Sequence, residues 1–495
     1  MSSRQSRTQK LLETLRGGGT LTGGQEFELV ARLAVPSVLA QISFILMQYT
    51  DAAMVGHLGA NGSAAVGLVS TSLWFLFGLG GSSIMGFSVQ TAHRIGAREY
   101  DEAKSLVRQA ITTVFIFGSM LAALGVAVHT ELPHWLGGDP SIAEDASLYF
   151  FINAFFLPAT FFCWLGSALL RASGDMKTPS MLGILMCVTN VIFNWFLIFP
   201  TREMEILGIT MTMPGADLGV AGAAWGTVIA EGLSAVLMFS QLIFRSPELR
   251  LIGTRGSFIP KLPVLRRAVT IAAPVAAERV MMTGAQIVST MIVAPLGIFS
   301  IAAHTLAITA ESVCYMPGYG IGDAASTLVG QSVGARRPDL ARRIAWKCVG
   351  VGMTVMTAMG VFLFICAPML MGLMTEVPEV IELGTQVLRI EAFAEPMFAA
   401  AIVCYQSFIG TGDTLIPAIF NLSTMWLVRI SLAWILAPIW GLAGVWTAMC
   451  TELIVRGSLF LIRMKSGAWL KKVEQRVRNE AAKPAAEEAS EAKPA

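Results

Sequence analysis

Charge is scarce in this 495-residue chain: 14% of its residues are Asp, Glu, Lys or Arg, against 54% hydrophobic, where soluble globular chains carry roughly 25% charged residues. That shortage excludes an ordinary water-soluble domain. A GxxxxGK[ST] phosphate loop is also missing, since the stretch Gly174-Asp-Met-Lys-Thr has the wrong spacing, and with it goes a nucleotide-driven pump. The seven cysteines sit singly in apolar surroundings without metal-ligand spacing and read as small hydrophobes. No apolar core precedes Leu29, although Arg4, Arg7, Lys10 and Arg16 do, so a cleaved signal peptide is not expected and the first helix is its own insertion signal. A net charge of +2 implies no nucleic-acid or acidic partner.

What the chain has instead is long apolar runs, enough for about twelve helices that can each cross a bilayer with roughly 20 residues. The first set begins near Leu33, Ala64, Leu106, Ile142, Pro179 and Leu218, the second near Val269, Ile301, Ile344, Val380, Pro417 and Gly441. The two sets are copies. Pro36, Gly59, Gly80, Ser88, Gly96 and Asp101 reappear as Pro274, Gly297, Gly318, Ser326, Gly334 and Asp339, at an offset of 274 − 36 = 238 throughout. Pro158, Gly174, Asp175 and Pro179 recur as Pro396, Gly412, Asp413 and Pro417 at the same offset. A duplicated apolar chain points to an all-α polytopic membrane protein of two pseudo-symmetric six-helix bundles, with a substrate path between them.

The expected order is a cytoplasmic N-terminal segment (1–30), an N-lobe of helices 1–6 (31–245), a basic inter-lobe linker (246–267), a C-lobe of helices 7–12 (268–465) and a disordered cytoplasmic tail (466–495). The N-lobe carries about sixteen extra residues between its fifth and sixth helices, because Gly219 and Gly441 are only 441 − 219 = 222 apart; an external hairpin near Arg202 to Pro214 accounts for them. Basic residues mark one side of the membrane: Arg94, Arg98, Arg171, Lys177, Arg336 and Arg337 fall in alternate loops, whereas the loop at Thr201–Asp217 has Arg202 as its one base and that at Thr375–Glu382 has acids alone. By the positive-inside rule both termini are expected in the cytoplasm of a multi-pass plasma membrane protein, the bacterial inner membrane.

Several segments resemble one family. The run Asp51-Ala-Ala-Met-Val-Gly-His-Leu-Gly59, the loops ending in Gly96-Ala97 and Gly334-Ala335, the Gly-Asp-x-x-x-Pro turns at Gly174 and Gly412, and the segments Val329–Ala335 and Leu218–Trp225 look like the multidrug and toxic compound extrusion (MATE) transporters, NorM-like members included. The resemblance covers roughly residues 30 to 465. It implies two six-helix bundles meeting in a V and secondary export of organic cations or drugs against inward Na⁺ or H⁺, with no enzyme activity and no cofactor. A lipid-linked saccharide flippase of a related fold is the alternative, and mid-membrane Arg429 is the one residue that favours it. No motif sets an oligomeric state.

A charge inside a bilayer is costly unless paired, hydrated or neutralised, so every intramembrane ionisable group is a functional candidate. Asp51 lies 15 residues past Pro36, and Asn194 is 15 past Pro179, so the two are expected at similar depth; Asn190 shares a helix face with Asn194, and Asn153 lies in the outer part of helix four. A carboxylate with amide oxygens suits Na⁺, a hard cation. The resemblance makes this the N-lobe cation site, with an Asp commonly standing where this chain has Asn194, which leaves Asp51 as the titrating member.

In the C-lobe, Glu311, Glu391, Glu452 and Arg429 are expected near mid-membrane, and Glu391 and Glu395 lie one turn apart on one face, with Arg429 neutralising one and leaving the other free to exchange a proton. Glu452 and Arg456 read as a structural i, i+4 ion pair. Glu231 reads as a mid-depth acid without a partner in its own half. Glu278, four residues past Pro274, is expected near the cytoplasmic end of helix seven, while NorM-like members carry a functional acid deeper, at a level where this chain has Met282. Met47, Met85, Met281, Met282 and Met316, with Trp74 and Tyr315, are expected to form a soft wall around a cationic amphipathic small molecule.

Overall fold

A computed structural model describes residues 6–206, 209–475 and 477–479. Its elements run in the order α1 (Arg7–Arg16), α2 (Gly23–Gly56), α3 (Ala60–Gly96), α4 (Tyr100–Val128), α5 (Leu132–Trp135), α6 (Pro140–Phe155), α7 (Leu157–Ala172) and α8 (Lys177–Ile198), then strands β1 (Pro200–Ile206) and β2 (Ile209–Ala216). They continue with α9 (Gly219–Ser240), α10 (Leu262–Val293), α11 (Ile298–Gly334), α12 (Pro338–Met374), α13 (Pro378–Glu391), α14 (Glu395–Thr411), α15 (Leu415–Ser423) and α16 (Ser431–Ser466). Among the described residues nine helical segments are long and apolar enough to cross a membrane. One of these holds both α15 and α16 and breaks at Gly441, whose φ of 59° is not helical. Counting that break and taking α6 with α7 as one span brings nine to eleven, against the expected twelve.

The interruptions between α6 and α7 and between α13 and α14 share a residue type. Pro158 and Pro396, repeat partners, sit in the first turns of α7 and α14. A proline offers no N–H to the preceding turn and its ring crowds the carbonyl four residues back, so a helix reaching it stops or kinks. α6 and α7 meet at 48°. The duplication extends to backbone geometry: positive φ recurs at Gly59 (95°) and Gly297 (101°), at Arg98 (62°) and Arg336 (58°), and at Gly174 (90°) and Gly412 (83°). Membrane-facing surfaces are apolar, with Leu46, Ile116, Val361, Ile365 and Leu373 more than half exposed, because in hydrocarbon the backbone polar groups, not the apolar side chains, are what must be buried.

The chain packs as two compact units. One holds the chain up to Val35, Val89–Tyr100 and Gly284 onward; the other holds Pro36–Ser88 and Asp101–Thr283. Both overlap the lobes expected from sequence without coinciding with them, since the divisions fall inside α2, α3 and α10. In the first unit the core gathers Ala303, Ala307, Leu363, Met371, Val387 and fully buried Trp446 from α11, α12, α13 and α16. The Trp446 indole donates to His304 Nδ1 at 3.1 Å, which satisfies its buried N–H. The ends of α3 and α11 approach so closely that a Cβ on Gly96 would overlap the Gln331 carbonyl, and one on Gly334 would overlap the His93 carbonyl. His93 and Gln331 are themselves repeat partners, so each copy supplies one glycine and one backbone surface to the crossing.

From Ser6 onward the N-terminal segment is folded. Ser6 caps α1 with a reciprocal Gln9 contact, Arg16 donates to Gln331 Oε1 at 3.1 Å, and Arg337 donates to the carbonyls of Leu15 (3.0 Å) and Gly19 (2.9 Å). Buried Glu26 pairs with Arg343 at 3.0 Å and with Lys347. The expected linker at 246–267 is shorter than anticipated, because α10 already begins at Leu262. The tail expected to be disordered from 466 is packed at its start, where Trp469 and Leu470 are buried and Arg342 donates to Glu474 at 3.2 Å, and from residue 480 onward it lies outside the described residues.

In the second unit α9 packs against α6, α7 and α8. The extra residues form the anticipated hairpin, with β1 and β2 antiparallel and Arg202 opposite Met213. Arg202 lays its guanidinium over Trp195 (4.4 Å) and Phe199 (4.3 Å), the cation–π contact that ties the hairpin to the end of α8.

Candidate functional site

Four helices of the second unit bring the N-lobe candidates together. Asn194 on α8 donates from Nδ2 to Asp51 on α2 at 2.7 Å and to Asn190 Oδ1 at 3.2 Å. Asn190 donates in turn to Thr227 on α9 at 3.1 Å. Asn194 packs directly on Gly226, where a Cβ would overlap its amide oxygen. That oxygen is buried and accepts no hydrogen bond. Asp51, Asn153, Thr227 and Glu231 line one cavity of about 450 Å³ with Gln48, Tyr149, Met47, Trp74, Phe77 and Trp164.

Glu231 is therefore corrected: it does have a partner in its own half. Thr160 on α7 donates to its carboxylate, and its charge acts on Asp51. Asn153, which lines the cavity, uses its amide on the Tyr149 carbonyl at 2.9 Å within its own helix. Sequence reasoning missed Gln48, Thr160, Thr227 and Trp164. Two of these had a signal, since Gln48 is three residues before Asp51 and Thr227 four before Glu231, spacings that share a helix face.

The first unit gathers the C-lobe candidates. Glu391, Glu395 and Glu452 are fully buried, and Glu311 and Arg429 nearly so. Glu391 interacts electrostatically with Glu311, Glu395, Arg429 and Glu452. Glu391 and Glu395 do not share one helix face as expected: α13 stops at Glu391, Ala392–Ala394 make the turn, and Glu395 opens α14 ahead of Pro396. Nor does Arg429 form a hydrogen-bonded pair with either. It sits in a π-helical stretch, Thr424–Ile430, directs Nη2 to Met449 Sδ, and leaves Nε without a partner. Glu452 and Arg456 do pair, at 3.2 Å. Four buried carboxylates thus face two guanidiniums, and neither oxygen of Glu391 or Glu395 accepts a hydrogen bond. Burial on that scale does not tolerate two uncompensated negative charges, so the excess must be met by protons or a cation.

Glu278 is also corrected. Because α10 begins at Leu262 and runs through Pro274, the buried Glu278 lies sixteen residues into the helix and not at its end. The seven residues expected to form a substrate wall divide between the two units. Met47 and Trp74 line the Asp51 cavity, and Trp74 and Met85 line a second of about 340 Å³. Met281 and Met282 line neither, Met316 is half-buried on α11, and Tyr315 packs on Tyr319 (6.0 Å) and Phe398 (5.5 Å) in the other unit.

Comparisons with known proteins agree with this architecture. The chain is 25% identical over 448 residues to the protein named "Probable multidrug resistance protein NorM" of Thermotoga maritima, covering 89% of this chain and 92% of that one. Its fold matches a MOP superfamily transporter from Pyrococcus furiosus with a TM-score of 0.83 at 19% identity, over 95% of this chain and 100% of the other. It also matches the bent form of the Vibrio cholerae MATE transporter VcmN with a TM-score of 0.78 at 17% identity, over 94% and 98%. The MatE family model matches residues 36–196 and again 274–435, so that each copy of the duplication opens on its own repeat proline. By that double match the chain belongs to the MatE family of polytopic membrane transporters.

Proposed function

We propose that this chain is a secondary active exporter of small amphipathic molecules, driven by inward Na⁺ or H⁺ across the bacterial inner membrane, with both termini in the cytoplasm. The observation that carries the reading is the pair Asp51 and Glu231 on the wall of one membrane-embedded cavity, held by Asn194 and Thr160. A cation or proton arriving there changes the charge of a wall that also offers aromatic and methionine surface to an organic molecule. The unbalanced acids around Glu391 give the other unit a second group that gains or loses charge. Alternating access follows if loading these groups favours one conformation over the other. The relatives named multidrug resistance proteins support the export direction.

The test is efflux of a fluorescent amphipathic dye from proteoliposomes under an imposed Na⁺ gradient, an imposed pH gradient, or neither. Export is expected to need one of the gradients, and Asp51→Asn and Glu391→Gln are each expected to lower it at least tenfold. Movement that is independent of both gradients would sink the antiport reading.

A further inference from the structure

Arg279 is an intramembrane charge that the coupling sites leave unused. It stands on α10, 17 residues after Leu262 and 14 before Val293, or roughly 25 Å and 21 Å from the two ends at 1.5 Å per residue. A helix of that length overhangs a hydrocarbon core of roughly 30 Å, so Arg279 falls inside the core wherever the overhang lies. An arginine at that depth is expensive and faces a cavity or a partner. Among the described residues its guanidinium makes no ion pair or hydrogen bond; beyond the helix's own backbone bonds, its carbonyl accepts from the Thr283 hydroxyl at 3.0 Å. Instead the residue is exposed and lines the cavity of about 340 Å³ with Trp74, Phe77, Met85 and Trp164.

We propose that Arg279 makes this cavity a receptor for the anionic group, a carboxylate or sulfonate, of an aromatic amphipathic substrate. The inference rests on the exporter reading above and names its substrate class. Trp74, Phe77 and Trp164 belong to both this cavity and the one holding Asp51 and Glu231. An aromatic body set against those shared rings therefore has carboxylates on one side and a guanidinium on the other. Asp51 and Glu231 are engaged by Asn194 and Thr160 and serve the coupling cation, while Arg279 is engaged by nothing. A guanidinium binds carboxylate in a two-pronged geometry and stacks on aromatic faces, whereas it repels the organic cations that the acids alone suggest.

The test uses the full-length protein with tritiated 2-naphthoate and tritiated 2-naphthylmethylammonium. By equilibrium dialysis in detergent, wild type is expected to bind naphthoate at least tenfold more tightly than the ammonium. Arg279→Lys keeps most of that preference, Arg279→Gln removes it and Arg279→Glu reverses it. Equal or opposite preference in wild type, no measurable naphthoate binding, or a preference that Arg279→Gln leaves unchanged overturns the inference. Gradient-driven efflux of both probes from proteoliposomes is scored separately. If the ammonium is exported and naphthoate is not bound, Arg279 is not an anion receptor and the exporter reading stands. If naphthoate is bound as expected but neither probe moves under any gradient, the exporter reading falls and the anion site stands.

Discussion

Asn194 divides its amide between two tasks: the nitrogen holds Asp51 and Asn190, while the oxygen lies against Gly226 without a donor. Each task is open to a one-residue test. Asn194→Leu keeps the branching at Cγ and removes the hydrogen bonds, and Gly226→Ala pushes the amide off its seat. A hydrogen bond to a charged group contributes about 1.5–3 kcal/mol, so each variant is expected to lose at least tenfold of gradient-driven export in proteoliposomes while remaining folded by size-exclusion chromatography. Unchanged export in both would remove Asn194 from the coupling site. Thr160→Val applies the same logic to Glu231 and is expected to lower export by a similar factor. Depth counted from Pro36 and Pro179 was enough to bring Asp51 and Asn194 together from the sequence. Thr160 was invisible there because it lies 71 residues from Glu231 on another helix, and only packing supplies such a pair. Arg279 obeyed the rule that singled out Arg429, yet its meaning depends on rings contributed by α3 and α7.

At the level of elements, the repeat was legible because glycine and proline positions are fixed by backbone geometry and survive divergence of everything else. What the repeat concealed was the joint between α13 and α14. Reading Glu391 and Glu395 as i, i+4 neighbours assumed one continuous helix, and Pro396 breaks it. Pro396→Ala restores an N–H and removes the ring clash, so the joint is expected to straighten and to re-aim both carboxylates. Export is expected to fall several-fold while the melting temperature in detergent holds or rises; a fall in both would make the joint a structural feature alone. The crossing of α3 and α11 gives the opposite expectation. Gly96→Ala and Gly334→Ala drive a methyl into backbone carbonyls that have no rotamer to change, and each is expected to lower the melting temperature by several degrees. Gly350→Ala on α12, where an added Cβ meets nothing, is the control, expected to gain about 0.5–1 kcal/mol from helix propensity.

For the whole molecule, the asymmetry of Lys and Arg between loops supports a definite topology. The native cysteines are poor targets for a label, since six of the seven are buried. Thr201→Cys on the hairpin and Ser257→Cys in the linker are both exposed. In intact cells a membrane-impermeant maleimide is expected to label the first at once and the second only after permeabilisation; the reverse pattern would invert the topology. Chain length and apolar patterning made the long spans legible, because a bilayer imposes element length directly. The compact units were not legible, because helices such as α2 and α10 are longer than a membrane and change packing partners along their length.

The β1–β2 hairpin is an ordered structure that the duplication did not need. It lies outside both windows of the family match, pairs with itself, and is clasped to α8 by Arg202. A segment so self-contained is a natural graft point: replacing the strand tips with a rigid epitope, while keeping Arg202, would give the molecule a landmark for antibody capture or particle alignment.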